Sequence, residues 1–192
     1  MDFYEELFKL KRVIRRGWQL RDVQGRLESD AEHTCSMMLL ALKIMAHNDL
    51  KLDQLKVLKM CAYHELGEID VGDITPVDHI SKAEKFEREY AAIERISNTY
   101  NMPEILDIWL EFEENETPEA KFVKSLDRYD AVKQAQFYEK YSLVEPGLYQ
   151  EFHTTSEPAV DYAEGLDLRD MEPTEPVVDN TNDKGDDDSR SL

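Results

Sequence analysis

Apolar residues recur every three or four positions through most of this 192-residue chain, and nowhere do they alternate over a sustained stretch. A spacing of three to four keeps one face of an α-helix apolar, whereas a half-buried strand needs a period of two. In residues 3–14 the stripe is Phe3, Leu7, Leu10 and Ile14, with Gly17 expected to stop it. The next helix opens at Ser29, where Glu32 completes a capping-box pattern. It runs through Met37, Met38, Leu40, Ala41, Ile44 and Met45, apolar on most sides and therefore buried. Further helices are predicted over residues 52–66, 81–99, 103–114 and 118–141, the last two opening at proline, which a first helical turn tolerates. A weaker segment covers 147–162. Glycine and proline number only seven each, so the spacing predicts an all-α fold of six or seven helices around one core.

Residues 167–192 differ. They hold nine acids and three bases, and Val177-Val178 is their only adjacent apolar pair. Such a stretch buries too little to order itself, so the expected organisation is a helical domain over 1–166 and an acidic disordered tail over 167–192. The whole chain carries a formal charge of −19, and nine acids less three bases in the tail leaves about −13 on the domain. An acidic surface argues against nucleic-acid polymers and anionic membranes as partners. No apolar run approaches the roughly 18 residues of a membrane span, and MDFYEELFKLKR lacks a signal-peptide core, so a soluble, cytoplasmic protein is expected. Cys35 and Cys61 fall in apolar helical patterns and read as reduced, buried thiols.

The chemistry concentrates in His64-Glu65-Leu66-Gly67-Glu68-Ile69-Asp70-Val71-Gly72-Asp73, one imidazole and four carboxylates at the end of an apolar helix. Buried carboxylates need partners, and a divalent cation suits imidazole and carboxylate together; a solvated acidic loop is the plainer reading. Two further residues favour the cation. His33 lies in the first turns of an apolar helix, and Asp127 lies among apolar neighbours on another. With His64 and Glu65 they supply two imidazoles and two carboxylates from three helices, a set suited to one Zn, Mn, Co, Ni or Mg ion with open positions. His47, His79 and His153 lack such company and read as surface or capping residues, and Trp109 and Phe112 read as core.

This arrangement resembles the HD-domain metal-dependent phosphohydrolases, whose ligands follow an H…HD…D order. LKRVIRRGWQLRDV, ESDAEHT, HELGEIDVGDITP with KAEKFEREYAAI, and FVKSLDRYDAVKQA look like consecutive blocks of the 5′-deoxynucleotidase branch over residues 7–140. The resemblance implies His33, His64, Glu65 and Asp127 as metal ligands, Glu68 as the carboxylate that orients or deprotonates the attacking water, and Asp73 as a second acid beside the site. If the helix continues past His64, Glu68 shares its face. Glu65 departs from the motif, which has Asp there; the extra methylene moves the carboxylate by about 1.5 Å. The resemblance further implies Arg16 and Trp18 facing phosphate and sugar-base, with Arg21 competing for the phosphate and Lys124 one turn before Asp127 assisting. It implies a deoxynucleoside 5′-monophosphate substrate and a homodimer. Two other readings stand beside it: a triphosphohydrolase of deoxynucleoside triphosphates, as in phage relatives, and a catalytically degenerate helical scaffold that binds proteins.

Overall fold

A computed structural model describes residues 2–156 and 159–167. The expected acidic tail lies outside them apart from Asp167, which is the last residue of a helix and is tied down by Lys43 Nζ at 2.6 Å and the Tyr129 hydroxyl at 2.7 Å. Among the described residues the chain is helical, its only β pairing an isolated bridge. The helices are α1 (Phe3–Leu10), α2 (Arg16–Gln19), α3 (Asp30–His47), α4 (Gln54–Tyr63), α5 (Glu68–Val71), α6 (Lys82–Tyr100), α7 (Pro103–Glu114), α8 (Pro118–Lys140), α9 (Leu148–Ser156) and α10 (Ala159–Asp167), with a 3-10 turn at Pro76–Asp78. The all-α expectation holds. The count exceeds six or seven because two four-residue helices carry no periodic signature and the C-terminal segment forms two helices.

α8 is the central helix. It packs against α3, α4, α7, α9 and α10 and contributes Phe122, Val123, Leu126, Tyr129 and Val132 to a core that also takes Met37, Ile44, Val57 and Met60. A second core, around Leu10, Leu66, Ile93, Ile96, Ile105 and Trp109, joins α1, α6 and α7. A third gathers Trp18, Val23, Ala135, Tyr138 and Leu148.

The capping box at Ser29 forms as its sequence predicts: the hydroxyl accepts from the Glu32 N–H, and Glu32 accepts from the Ser29 N–H at 3.0 Å. α1 ends earlier than expected, at Leu10 rather than near Gly17, because residues 13–15 leave the helix to pair with 28–30. The Arg15 N–H donates to the Glu28 carbonyl and the Asp30 N–H to the Val13 carbonyl, both at 3.0 Å. Gly17 falls inside α2. The helix at 52–66 also ends early. α4 stops at Tyr63, and the chain tightens through bonds from Leu66 N–H to Tyr63 C=O and Glu68 N–H to Glu65 C=O, both 3.1 Å. In such 3-10 geometry residues three apart eclipse. Glu65 and Glu68 therefore share a side, and His64 opens into the same cleft beside them.

That turn lies hard against α6. A β-carbon on Gly67 would sit 3.1 Å from Cβ of Glu89 and 3.3 Å from its Cα. Only glycine lets the two backbones approach this closely. Cys61 is buried as expected, but Cys35 is exposed on α3, whose apolar residues extend beyond the face it buries.

Candidate metal centre and catalytic cleft

His33 is fully buried, and both its ring nitrogens meet carboxylates of α8. Nδ1 is 2.8 Å from Asp130 Oδ2, and Nε2 is 3.1 Å from Asp127 Oδ1 and 3.8 Å from Glu65 Oε1. Burial and the Arg15 charge oppose a charged imidazole, but the two carboxylates prevail and lift the pKa to about 10. Asp130 thus orients and polarises a candidate ligand from behind, the usual arrangement around metal-binding histidines.

His64 is held the same way by a different partner. Its Nδ1 lies 2.8 Å from the Cys61 carbonyl, to which it must donate. Its Nε2 is buried, 3.3 Å from Glu65 Oε1, and without a hydrogen-bond partner among the described residues. A ring nitrogen this close to a carboxylate oxygen needs a positive centre to join them, a proton or a cation that both ligate. Ligand atoms of His33, His64, Glu65 and Asp127 all lie within 4.8 Å of one another, and nitrogen with carboxylate oxygen is a donor set for a divalent transition ion. The residues fit the cation that the sequence implied.

Positive charge already gathers there. Arg15 Nη1 donates to Glu65 Oε1 at 2.6 Å, and Nη2 is 3.8 Å from Asp127 Oδ1. Against the cost of burial, the His64 ring and Arg15 hold Glu65 well below the ordinary carboxylate range. Asp127 is depressed chiefly by its bond to His33, again against burial.

Glu68 is buried beside this group, and its pKa is pushed well above the ordinary value by burial and by the negative charges of Glu65, Asp73 and Asp30. Its Oε2 has no partner among the described residues, while Lys85 Nζ is 3.7 Å from Oε1. Asp30 is fully buried and is pushed up to about 8 by burial and then by Glu65, while Arg15 and a side-chain contact with Glu68 work the other way. Asp73 Oδ2 accepts from the Arg16 N–H at 2.7 Å. These groups open into a cleft of about 680 Å³ lined by His64, Glu65, Glu68, Asp73 and Asp127 and by five cationic side chains, Arg15, Lys82, Lys85, Lys124 and Arg128. Glu89 and Glu113 line it too, paired with Lys85 and Lys124, so five cations stand among six carboxylates in a chain of net charge −19.

The substrate residues named from sequence fare unequally. Lys124 lines the cleft, its Nζ 2.7 Å from Glu113 Oε1 and 3.7 Å from the centre of the Phe112 ring. Arg16 does not point there: its guanidinium pairs with Asp78 at 2.6 Å and lines a different cavity. The arginine that reaches the centre is its neighbour, Arg15. In the extended stretch at the Ile14–Ser29 bridge successive side chains face opposite ways, so a pairing distant in sequence decides which arginine enters the cleft. Trp18 is buried, donates from Nε1 to Glu28 Oε2 at 2.9 Å and stacks on Phe152 with ring centres 4.8 Å apart. It is a core anchor, and it also borders a hollow of about 260 Å³ that shares Arg15, Asp73, Ile74 and Thr75 with the cleft. Arg21 borders that hollow too, with Nε on both oxygens of Glu151 at 3.1 and 3.2 Å and the guanidinium over the Phe152 ring.

The structure adds Arg15, Asp30, Lys85 and Asp130 to the site. Asp130 carried a signal, a second acid three residues after Asp127 on an apolar helix. The others carried none that distinguishes them from surface charge.

The HD domain family model matches residues 7–166. The 5′-deoxynucleotidase HDDC2 of Danio rerio is 36% identical over 171 residues, covering 88% of this chain and 83% of its own length. Its Homo sapiens counterpart is 37% identical over 161 residues, 81% of this chain and 76% of that one. A solved structure from Magnetospirillum magnetotacticum MS-1, described as a predicted metal-dependent phosphohydrolase, superposes with a TM-score of 0.59 at 27% identity, covering 88% of this chain and 92% of that one.

Proposed function

This chain belongs to the HD domain family, and on that footing we propose that it is a divalent-metal-dependent 5′-deoxynucleotidase, releasing phosphate from deoxynucleoside 5′-monophosphates. The observation that carries the reading is the buried Nε2 of His64, without a hydrogen-bond partner among the described residues, in a four-residue ligand cluster at the wall of the cleft. Curated relatives with that activity support the substrate class.

His33, His64, Glu65 and Asp127 would hold the cation, which would supply Lewis acidity toward a phosphate oxygen and toward water. Arg15 offers a planar, two-donor face matched to phosphate oxygens. Lys124 and Lys85 add positive charge along the same cleft and offset the charge that grows on the phosphoryl oxygens. Glu68 is the group placed to take the proton of the attacking water: it is buried, one oxygen is uncommitted, and Lys85 stands near the other to stabilise its charged form. Asp73 is oriented toward the cleft by the Arg16 backbone N–H.

The reading includes a homodimer acting in the cytoplasm. Exposed aromatics such as Tyr4, Phe8, Phe137 and Tyr141 are candidate contacts for a second copy, and sedimentation of the full chain tests the dimer. No helix among the described residues is long and apolar enough to cross a membrane.

The deciding experiment is a panel of ribo- and deoxynucleoside mono-, di- and triphosphates assayed with Mn, Co, Zn, Ni and Mg, reading phosphate and triphosphate release separately. Phosphate from deoxynucleoside monophosphates is the expected result. Triphosphate release would instead make the chain a triphosphohydrolase, and silence with every metal would make it a helical scaffold.

A further inference from the structure

Beside the catalytic cleft, sharing Asp73, Ile74 and Ile80 with it, lies a second cavity of about 500 Å³. Three arginines from three parts of the chain line it, Arg12 just beyond α1, Arg16 of α2 and Arg88 of α6, together with two carboxylates, Asp73 and Asp78. Its aliphatic lining includes Ile14, Val71 and Ile80. The partition is thin. Arg15 and Arg16 are consecutive, yet one guanidinium reaches Glu65 in the cleft and the other lines this second cavity.

Three arginines against two carboxylates leave a positive excess in the lining, and the internal partners do not use every guanidinium donor. Arg16 Nη2 meets Asp78 at 2.6 Å, but its Nε is buried and has no acceptor among the described residues. Arg88 pairs with Glu84, one turn back on its own helix. Arg12 lies over the Phe8 ring at 5.6 Å and has no carboxylate partner among the described residues. Guanidinium donors match phosphate oxygens in geometry as well as charge. A hollow of this size accommodates a nucleotide, and three arginines suit a chain of phosphates better than a single one.

We propose that this cavity binds a polyphosphate anion, the phosphate chain of a nucleoside triphosphate or an inorganic polyphosphate, at a site separate from the metal centre. The site also touches the cleft mechanically. The Arg16 N–H holds Asp73 Oδ2 at 2.7 Å, so an anion that draws Arg16 inward pulls on the segment that carries Asp73, and occupancy changes turnover without displacing substrate.

The test is calorimetric titration of dATP and, separately, of sodium tripolyphosphate into the full chain in excess magnesium. Three further proteins are compared: Arg12→Ser, Arg12→Ser with Arg88→Ser, and His64→Ala. The expected result is a saturable binding component that weakens at least tenfold in the double arginine variant, weakens less in Arg12→Ser, and persists in His64→Ala. Tighter binding of dATP than of tripolyphosphate identifies the nucleotide as the source, and equal binding identifies the bare phosphate chain. Without added anion, the double variant should keep the wild-type kcat and KM. Absence of saturable binding to wild type overturns the proposal, as does binding that survives both arginine substitutions and disappears in His64→Ala. Absence of monophosphate hydrolysis would count against the reading of the metal cleft and leave this binding test intact.

Discussion

His33 and Asp127 are carried by helices of 18 and 23 residues, whereas Arg15, Glu65 and Asp73 sit on short stretches of chain between helices. The helical side is fixed by packing: α3 and α8 share the largest core, and Asp130 braces His33 from behind. The other side is fixed by polar contacts across the cleft, Arg15 to Glu65 and the Arg16 N–H to Asp73, and by the close approach of Gly67 to α6. Losing a ligand from either side should abolish chemistry, but changes that merely shift a side should be felt more on the one without helical backing.

The largest effect is expected from His64→Ala and Asp127→Ala, one from each side. A cation worth several kcal/mol of transition-state stabilisation corresponds to a loss of about a thousandfold or more in kcat/KM. Elemental analysis of folded protein should show bound metal lost in both. Retention of metal would break the assignment of the ligands.

Arg15 and Arg16 separate next. Arg15→Ala should lower kcat/KM by about a hundredfold, the scale for removing a donor to developing phosphoryl charge. Arg16→Ala should cost far less, since the backbone N–H that holds Asp73 remains. Steady-state kinetics on both variants checks the order, and the reverse order would return the phosphate role to Arg16.

Gly67→Ala probes the turn itself. A β-carbon 3.1 Å from Glu89 Cβ forces α6 and the turn apart, at about 1–3 kcal/mol of overpacking. Glu65 and Glu68 move with it, so turnover should fall by about tenfold while the protein stays folded. Unchanged turnover alongside a lowered melting temperature would show that the turn tolerates displacement.

A smaller effect concerns the protein stripped of metal. His33 rises from 6.5 to about 10 on folding, so its contribution is complete below pH 6.5 and is lost as pH climbs through 10. Asp30 rises from 3.8 to about 8, so the folded form holds that proton more tightly and stability again falls as pH rises toward 8. Both slopes have one sign between pH 6.5 and 8. The melting temperature of chelated protein should fall across that window. Added metal should flatten the trend, because it takes the place of the His33 proton; a chelated protein that melts higher at pH 8 than at 6.5 would contradict these charge states.

The same division governs what the sequence discloses. His33 and Asp127 are legible because a polar residue amid a helix's apolar pattern is conspicuous, and the Ser29 capping box announces where α3 begins. Arg15 is not legible: its direction depends on Ile14 pairing with Ser29, a contact that no local pattern encodes. The turn after Tyr63 is hidden for a similar reason, since the period of three replaces that of 3.6 for only one turn. Asp30 looks like an ordinary acid at a helix start, and only the packing of α3 near Glu68 makes it a buried one.

Glu65 joins the two sides, touching His64, Arg15 and, at 3.8 Å, His33. The central claim is that these four ligands form a working metal centre built around a glutamate. Metal affinity and turnover of wild type and Glu65→Asp test it most directly. The shorter side chain should withdraw its oxygen from His64 and weaken metal binding several-fold, with turnover falling in step. A several-fold gain in both affinity and turnover would contradict the claim, showing a cage shaped for aspartate in which the glutamate is a defect.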